Sequence, residues 1–168
     1  ELLGWQDNAL VVVLADHGEE FWDHGGTGHG KTLYREVVHV PFFIYHRELQ
    51  PRRIPQQIHL IDTLPTPADM LQFPVNSAWV GKSLTPLLRG EPLPERILFS
   101  QLLRRPDHPR PALQAAITQQ WKLIETTGRN GAKSSELYDV KGDAGERQNV
   151  ASAHADVLAR LSKELELL

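Results

Sequence analysis

Side chains that can bind metals or transfer protons are concentrated in one stretch of the sequence, residues 11–45. Four of the eight histidines lie there: His17, His24, His29 and His39. Asp16 directly precedes His17, and a carboxylate oxygen beside an imidazole nitrogen can supply two ligands to one divalent cation. A two-residue pattern is weak by itself, because an aspartate and a hydrogen-bonded histidine also occur together at strand ends. The pair is therefore a candidate metal site, with a structural role as the alternative.

A glycine-rich loop follows this pair and could bind an anion. Residues 23–31 contain four glycines, which let the backbone approach a ligand closely. His29 and Lys31 flank Gly30 in this loop. Lysine supplies a point charge and histidine can donate a proton, so the two suit a tetrahedral anion such as sulfate or phosphate. A solvated loop lysine would give the same sequence pattern.

Two apolar runs bracket the loop and predict the elements that position it. The run Leu10–Ala15 shows no polar alternation, and a second run covers Val40–Tyr45. Runs of this kind are typical of strands that are buried on both faces in a parallel sheet. Asp16 and His17 would then follow the carboxyl end of a strand, where open α/β sheets place their sites.

An ordered series of motifs resembles the sulfatase family, which belongs to the wider alkaline-phosphatase-like superfamily. The motifs are Asp-His-Gly-Glu-Glu-Phe at 16–21, His-Gly at 24–25, Gly-His-Gly-Lys-Thr-Leu-Tyr-Arg-Glu at 28–36 and Val-Pro at 40–41. Trp-Lys-Leu-Ile at 121–124 and Glu-Leu-Tyr-Asp-Val at 136–140 extend the resemblance towards the C-terminus. It covers nearly the whole chain, but only the C-terminal half of the family's pattern.

The resemblance implies roles for four residues. Asp16 and His17 would supply part of a divalent metal site whose other ligands come from an N-terminal half. Calcium is the usual metal in sulfatases, whereas manganese or zinc occurs in phosphate-ester relatives and suits an imidazole ligand better. His29 and Lys31 would be the catalytic residues that hold the anion. His29 is favoured of the two, since related phosphoethanolamine transferases have a His-Gly at this place.

Other polar residues are expected to have structural or solvated roles. Tyr34 is assigned to the scaffold, and Glu19 and Glu20 are predicted to be solvated loop acids. Lys122 could reach the anion in some relatives, but a solvated strand lysine is the favoured interpretation. For His24, a role in shaping the loop and a role in the site are both open.

The predicted fold class is α/β, the C-terminal portion of an alkaline-phosphatase-like sandwich. It would combine parallel core strands with a small antiparallel C-terminal sheet and a terminal helix. Residues 1–92 are assigned to the α/β core and residues 93–168 to a small α+β subdomain. Short runs at 97–100, 112–118, 121–125 and 136–139 predict the antiparallel strands. Leucines and a valine on one face predict a last helix at about 153–168.

Composition excludes several classes of protein. A net charge of −3 gives no basic footprint for nucleic acid. No apolar run approaches the ~20 residues that a membrane span needs. The sequence has no cysteine, so it offers neither a thiolate metal site nor a cysteine nucleophile. Gly81-Lys82-Ser83 is not a nucleotide-binding motif, because Asn76 stands where that motif needs a glycine.

The resemblance implies a metal-dependent sulfuric ester hydrolase, but the nucleophile of that reaction is missing from the sequence. Sulfatases use a formylglycine made within a C/S-x-P-x-R motif, and no serine of this chain has a proline two residues later. We therefore expect a C-terminal fragment that is inactive alone and needs the missing N-terminal half as its partner. The substrate would be a sulfate or phosphate ester.

Two alternatives remain open at this stage. One is a fragment of a phosphoethanolamine or phosphoryl transferase, or of a phosphodiesterase, of the same superfamily, with threonine or serine as nucleophile. The other is a non-catalytic accessory domain that keeps the loop sequence. The location of the protein stays unknown, and an extracytoplasmic one is suggested only by its relatives.

Overall fold

A computed structural model describes residues 8–74, 76–104 and 110–168 of the chain. The chain divides into two compact units, Glu1–Asp16 with Pro41–Glu95 and His17–Val40 with Arg96–Leu168. The domain assignment with a boundary between residues 92 and 93 stays a prediction, and the compact units differ from it by grouping residues 17–40 with the C-terminal part.

Strands and helices alternate irregularly along the chain. The strands are β1 (Val11–Leu14), β2 (Glu20–Phe21), β3 (Thr27–Gly28), β4 (Phe42–Tyr45), β5 (Leu98–Leu102), β6 (Ala112–Ile117), β7 (Trp121–Thr127) and β8 (Lys133–Asp139). The helices are α1 (Arg35–Val38), α2 (Pro65–Met70), α3 (Thr85–Arg89) and α4 (Ala155–Leu165), with a 3-10 turn at Leu60–Thr63. Within the described residues, no helix has the length and apolar character needed to cross a membrane.

The two strands of the first unit correct the prediction of parallel core strands. β1 and β4 pair antiparallel, with Val11 opposite Tyr45 and Leu14 opposite Phe42. Their apolar side chains also remain partly accessible, since Val13 is 53% exposed. A continuous apolar run predicts a strand and its affinity for apolar surface, but it specifies neither the strand's direction nor the segment that covers it.

A buried carboxylate organises the helical part of the first unit. Asp62 is 0% exposed, and its two oxygens accept hydrogen bonds from the backbone N–H groups of His59, at 2.9 Å, and Lys82, at 2.8 Å. The carbonyl oxygen of Asp62 accepts the hydroxyl of Thr66 at 2.6 Å, and that hydroxyl accepts the N–H of Leu84 at 3.0 Å. These bonds fix the 3-10 turn, α2 and the residues before α3 against one another.

The second unit contains a four-stranded antiparallel sheet in the order β5-β6-β7-β8. Ala115 and Ala116 are consecutive in β6 and therefore point to opposite faces, yet both are 0% exposed. Leu161 and Leu165 of α4 cover one face. Leu33, from the segment 17–40, packs in the core cluster of the other face. The predicted antiparallel sheet and terminal helix are confirmed.

We expect Gly81→Ala to lower the free energy of unfolding by about 1–3 kcal/mol. A Cβ atom on residue 81 would lie 2.0 Å from the carbonyl oxygen of Ile61. This oxygen belongs to the backbone, so it cannot rotate away from the new methyl group as a flexible side chain could. Urea denaturation followed by circular dichroism would measure the change. Gly145→Ala is the matched control, because its Cβ would meet other atoms only at 3.5 Å or more. Equal unfolding midpoints for the two variants would contradict the prediction.

Candidate functional site

The Asp-His-Gly turn is held against α1 by a close backbone contact. The N–H of Gly18 donates to the carbonyl oxygen of Val37 at 2.8 Å. A Cβ on Gly18 would lie 1.9 Å from the carbonyl oxygen of Glu36, so a side chain at this position would clash. The glycine of the motif thus allows α1 to approach the turn and fixes the backbone next to His17.

Glu20 is a buried acid that closes the glycine-rich loop. It is 1% exposed, and one carboxylate oxygen accepts the N–H groups of Gly26, at 2.8 Å, and His24, at 3.3 Å. The other oxygen accepts the hydroxyl of Thr32 at 3.3 Å. The prediction of a solvated acid is therefore wrong for Glu20. The reason is that the tight loop turns backbone N–H groups inward, where they need an acceptor.

Three potential metal ligands converge beside the hairpin formed by β2 and β3. His17, Glu19 and His29 each offer a ligand atom, and these atoms lie within 4.8 Å of one another. The rings of His17 and His29 stack with their centroids 3.9 Å apart. Nδ1 of His29 lies 3.1 Å from Oε2 of Glu19. The two histidines are predicted site residues, whereas Glu19 was predicted to be a solvated loop acid, and its side chain is 39% exposed.

The other predicted site residues lie at the edge of this cluster or in the first unit. The ammonium group of Lys31 is exposed and donates to the carbonyl oxygen of Thr27 at 2.7 Å. The guanidinium group of Arg110 donates to the carbonyl oxygen of Gly30 and so anchors the loop between the two candidates His29 and Lys31. Asp16 belongs to the first unit. The roles assigned to Asp16, His17, His29 and Lys31 stay predictions.

His24 is hydrogen-bonded through both ring nitrogens. Nδ1 lies 2.6 Å from a carboxylate oxygen of Glu36, and Nε2 lies 2.9 Å from the carbonyl oxygen of Glu146. Both partners can only accept, so both nitrogens donate and the ring is a cationic imidazolium. Burial alone would lower the pKa of His24, but the hydrogen bonds to Glu146 and Glu36 outweigh it and raise the pKa above 6.5. Its ring also stacks on Tyr34 at 3.8 Å. These contacts favour the loop-shaping role.

Lys122 and Glu146 form a buried ion pair, which corrects the prediction of a solvated lysine. They are 1% and 3% exposed, and the ammonium group donates to both carboxylate oxygens at 2.9 Å. One of these oxygens also accepts the backbone N–H of Arg35 at 2.9 Å. Burial lowers the pKa of Lys122, and the charge of Glu146 opposes that effect. Sequence alone could not show this pair, because its members are 24 residues apart.

Tyr34 has the contacts of a scaffold residue. Its hydroxyl donates to an oxygen of Glu136 at 3.1 Å, and the hydroxyl of Tyr138 donates to the same oxygen at 3.0 Å. Burial and the charge of Glu136 raise the pKa of Tyr34 to about 12. Tyr34 therefore stays a neutral hydrogen-bond donor at neutral pH and joins the loop segment to β8.

Comparison with known proteins supports the resemblance to sulfatases. The family model described as Sulfatase matches residues 1–73. The chain is 29% identical over 161 residues to the Delta 4,5-hexuronate-2-O-sulfatase of Bacteroides thetaiotaomicron, and the match covers 86% of this chain and 31% of that protein. The resemblance of the chain to the sulfatase family is therefore confirmed. The stretch 11–45, which carries the predicted site residues, lies within the matched residues.

Solved sulfatase structures share the fold of the chain. A 2-O GAG sulfatase matches with a TM-score of 0.84 and 27% identity, covering 95% of this chain and 36% of that one. The phosphonate monoester hydrolase of Silicibacter pomeroyi matches with a TM-score of 0.79 and 30% identity, covering 95% of this chain and 34% of that one. These matches confirm the alkaline-phosphatase-like fold. The chain spans about a third of the length of each of these three relatives.

We expect Glu146→Gln to lower the free energy of unfolding by about 3–5 kcal/mol, because it leaves the buried charge of Lys122 without its counter-ion. The double variant Lys122→Met/Glu146→Gln should recover part of this loss, since no buried charge remains. Urea denaturation would measure both. Lys133→Met, at an exposed position of β8, is the control and should change stability by no more than about 0.5 kcal/mol. A double variant as unstable as the single one would refute this account.

The stability of the chain should fall as the pH rises above 6.5, the ordinary pKa of histidine. Because the pKa of His24 is raised in the folded chain, the folded state binds more protons than the unfolded state in this range. The stabilisation is complete below pH 6.5 and is lost as the pH rises through the folded pKa. Unfolding midpoints measured across this range would show the decline, and His24→Gln should remove it.

His39 provides an internal control with the opposite sign. Burial, followed by the charges of Arg35 and Lys122, lowers the pKa of His39 below 6.5. Its contribution to stability is therefore lost as the pH falls below 6.5 and does not affect the alkaline range. His39→Gln should leave the alkaline decline intact. A decline that persists in His24→Gln would show that another group causes it.

Proposed function

We propose that this chain supplies the metal-binding and anion-binding part of a sulfuric ester hydrolase that acts on sulfated sugars. The observation that carries the proposal is the sulfatase match over residues 1–73, since it contains all four predicted site residues. Sugar sulfates are favoured as the substrate class because two relatives are named as a hexuronate-2-O-sulfatase and a 2-O GAG sulfatase.

The donor set fits a divalent metal ion. Asp16 and His17 are adjacent in the sequence, and Glu19 and His29 offer further ligand atoms close to His17. Imidazole nitrogens suit zinc or manganese better than calcium, which prefers oxygen ligands, so the calcium expected from the resemblance fits this chain less well. A bound metal ion would neutralise charge on the ester oxygens and act as a Lewis acid.

The chain's own residues would act on the sulfate group. Lys31 is proposed to hold a sulfate oxygen and to stabilise the negative charge that develops as the ester bond breaks. His29, the favoured candidate of the two from the resemblance, would also hold the anion, and in its protonated form it could donate a proton to the leaving oxygen. The nucleophile would come from the rest of a sulfatase, so we predict that the 168-residue chain alone does not hydrolyse sulfate esters.

Hydrolysis or transfer of a phosphorus ester is the second candidate function. The chain is 30% identical to the phosphonate monoester hydrolase, compared with 27% for the 2-O GAG sulfatase. Phosphonate and phosphate monoesters are tetrahedral anions like sulfate, so Lys31 would serve either substrate. A non-catalytic role would instead leave any associated activity independent of Lys31.

In a protein that joins this chain to the rest of a sulfatase, Lys31→Ala should lower kcat/KM by about 100-fold. The assay would compare a 2-O-sulfated unsaturated uronic acid disaccharide with an aryl phosphonate monoester. Lys133→Ala is the control, because it removes an exposed lysine of β8. Greater activity on the phosphonate would favour the second function. Full activity of Lys31→Ala would refute the anion-binding role.

A further inference from the structure

We propose that a cleft in the second compact unit binds the sulfate or phosphate group of a small anionic molecule. Arg35, His39 and Arg147 line this cleft, and they would receive the negatively charged oxygens. All of its lining residues belong to the second unit. None of them is one of the four predicted site residues, so the cleft would be a binding site in addition to the one assigned to Lys31.

The cleft has the size of a small-molecule binding site. It lies between the turn of the β2–β3 hairpin, α1 with the residue that follows it, and the loop after β8, and its volume is about 410 Å³. Ligand pockets of roughly 300–1,000 Å³ are typical for small molecules. A sulfate or phosphate group would fill only part of this volume. The cleft therefore has room for the molecule that carries the anionic group, such as a single sugar ring.

Two guanidinium groups supply positive charge to the cleft. Arg35 is exposed, and its guanidinium has no hydrogen-bond or ion-pair partner among the described residues, whereas its backbone N–H donates to Glu146 at 2.9 Å. The guanidinium of Arg147 donates to the carbonyl oxygen of Asp23, which holds the loop after β8 against the hairpin turn. A guanidinium has five N–H donors, so both arginines keep donors for a ligand.

The acidic residues of the cleft do not cancel this charge. The carboxylate of Glu36 lies 2.6 Å from Nδ1 of the His24 imidazolium. The carboxylate of Asp23 accepts the backbone N–H of Phe21 at 3.0 Å, within the hairpin. Together with the imidazolium, three cationic groups line the cleft against two carboxylates, and each carboxylate already has a partner in the protein. An incoming anion would therefore meet donors without breaking an existing ion pair.

His39 lies close to positive charge on the other side of the cleft's chemistry, as a group that can change its protonation. Burial, followed by the charges of Arg35 and Lys122, lowers the pKa of His39, and the charge of Glu146 opposes that effect. The ring is therefore neutral at neutral pH. An anion in the cleft would raise the pKa of His39, since a nearby negative charge stabilises the imidazolium. A histidine with only a structural role would not respond to the anion in this way.

The donors of the cleft select the class of ligand. Arginine presents a planar fork of N–H groups that matches the oxygens of anionic groups such as phosphate. A tetrahedral oxyanion has enough oxygens to accept from two guanidinium groups at once, whereas a single carboxylate has only two. A metal ion is disfavoured, because arginine has no acceptor atom and stays protonated in proteins.

Nuclear magnetic resonance of the 168-residue chain, titrated with sodium sulfate at constant ionic strength, tests the site. We expect the signals of Arg35, His39 and Arg147 to shift, with a Kd on the order of 1 mM. Arg35→Ala should weaken binding by about 10-fold, because it removes hydrogen bonds between charged groups and the guanidinium has no bond to the described residues that its loss would break. Arg160→Ala, on α4, is the matched control and should bind sulfate as the unmodified chain does.

Two sugars used as further probes identify what carries the anion. Tighter binding of glucose 6-sulfate than of inorganic sulfate would show that the cleft takes a sugar-borne group, and equal affinity would show that it takes the free oxyanion. Both results support an anion site, and in both the bound anion should move the titration of His39 to higher pH. Glucose, which has no charge, should not bind.

The inference would be overturned by unchanged signals around the cleft, by normal sulfate binding in Arg35→Ala, by an equal loss in Arg160→Ala, or by glucose binding as tightly as its sulfate. A loss in Lys31→Ala with normal binding in Arg35→Ala would assign the sulfate to the other site and would also overturn it. Ester hydrolysis in the joined protein tests the proposed function separately. Its failure would leave a measured sulfate site standing, and the absence of sulfate from the cleft would leave the hydrolase proposal standing.

Discussion

The ion pair between Lys122 and Glu146 is the contact on which the buried polar contacts of the second unit depend. Taking two charges out of water costs several kcal/mol for each, so neither residue is tolerated at this depth without the other. Glu146 also accepts the first N–H of α1 through its carboxylate and the ring of His24 through its carbonyl. One pair thus fixes β7, the start of α1 and the loop that carries the candidate site.

The charged residues of the segment 17–40 fall into two groups, one directed inward and one on accessible surface. Glu20 and His24 are directed inward and satisfy hydrogen-bonding groups that would otherwise be buried without partners. Glu19, His29 and Lys31 lie on accessible surface, where they can meet an ion or a substrate. A site built from exposed side chains needs a rigid support, and the inward group provides it.

The resemblance to sulfatases suggests a functional reason for this division. Sulfate ester cleavage needs a cation and fixed positive charge where negative charge develops. The loop offers imidazole and carboxylate donors together with Lys31, whereas the formylglycine motif is not in this sequence. Under the proposed function, this chain would supply the groups that hold the anion and the metal, and the attacking group would come from the rest of a sulfatase.

The sequence by itself determined the elements and the chemistry of the loop. Local patterns predicted the antiparallel strands and the last helix, because alternation and helical periodicity are encoded within a few residues. The ordered motifs between Asp16 and Pro41 indicated the resemblance to sulfatases, which the comparisons support. They also selected His17 and His29, which the structure brings together.

Only the tertiary structure decided which charged residues are buried and how the strands pair. Lys122 and Glu20 are ionisable residues whose burial depends on a partner distant in sequence or on backbone N–H groups turned inward by the fold. The antiparallel pairing of β1 and β4 was likewise invisible, because an apolar run has no direction. Composition and spacing fix what a side chain can do, but its partners and its access to water are properties of the folded chain.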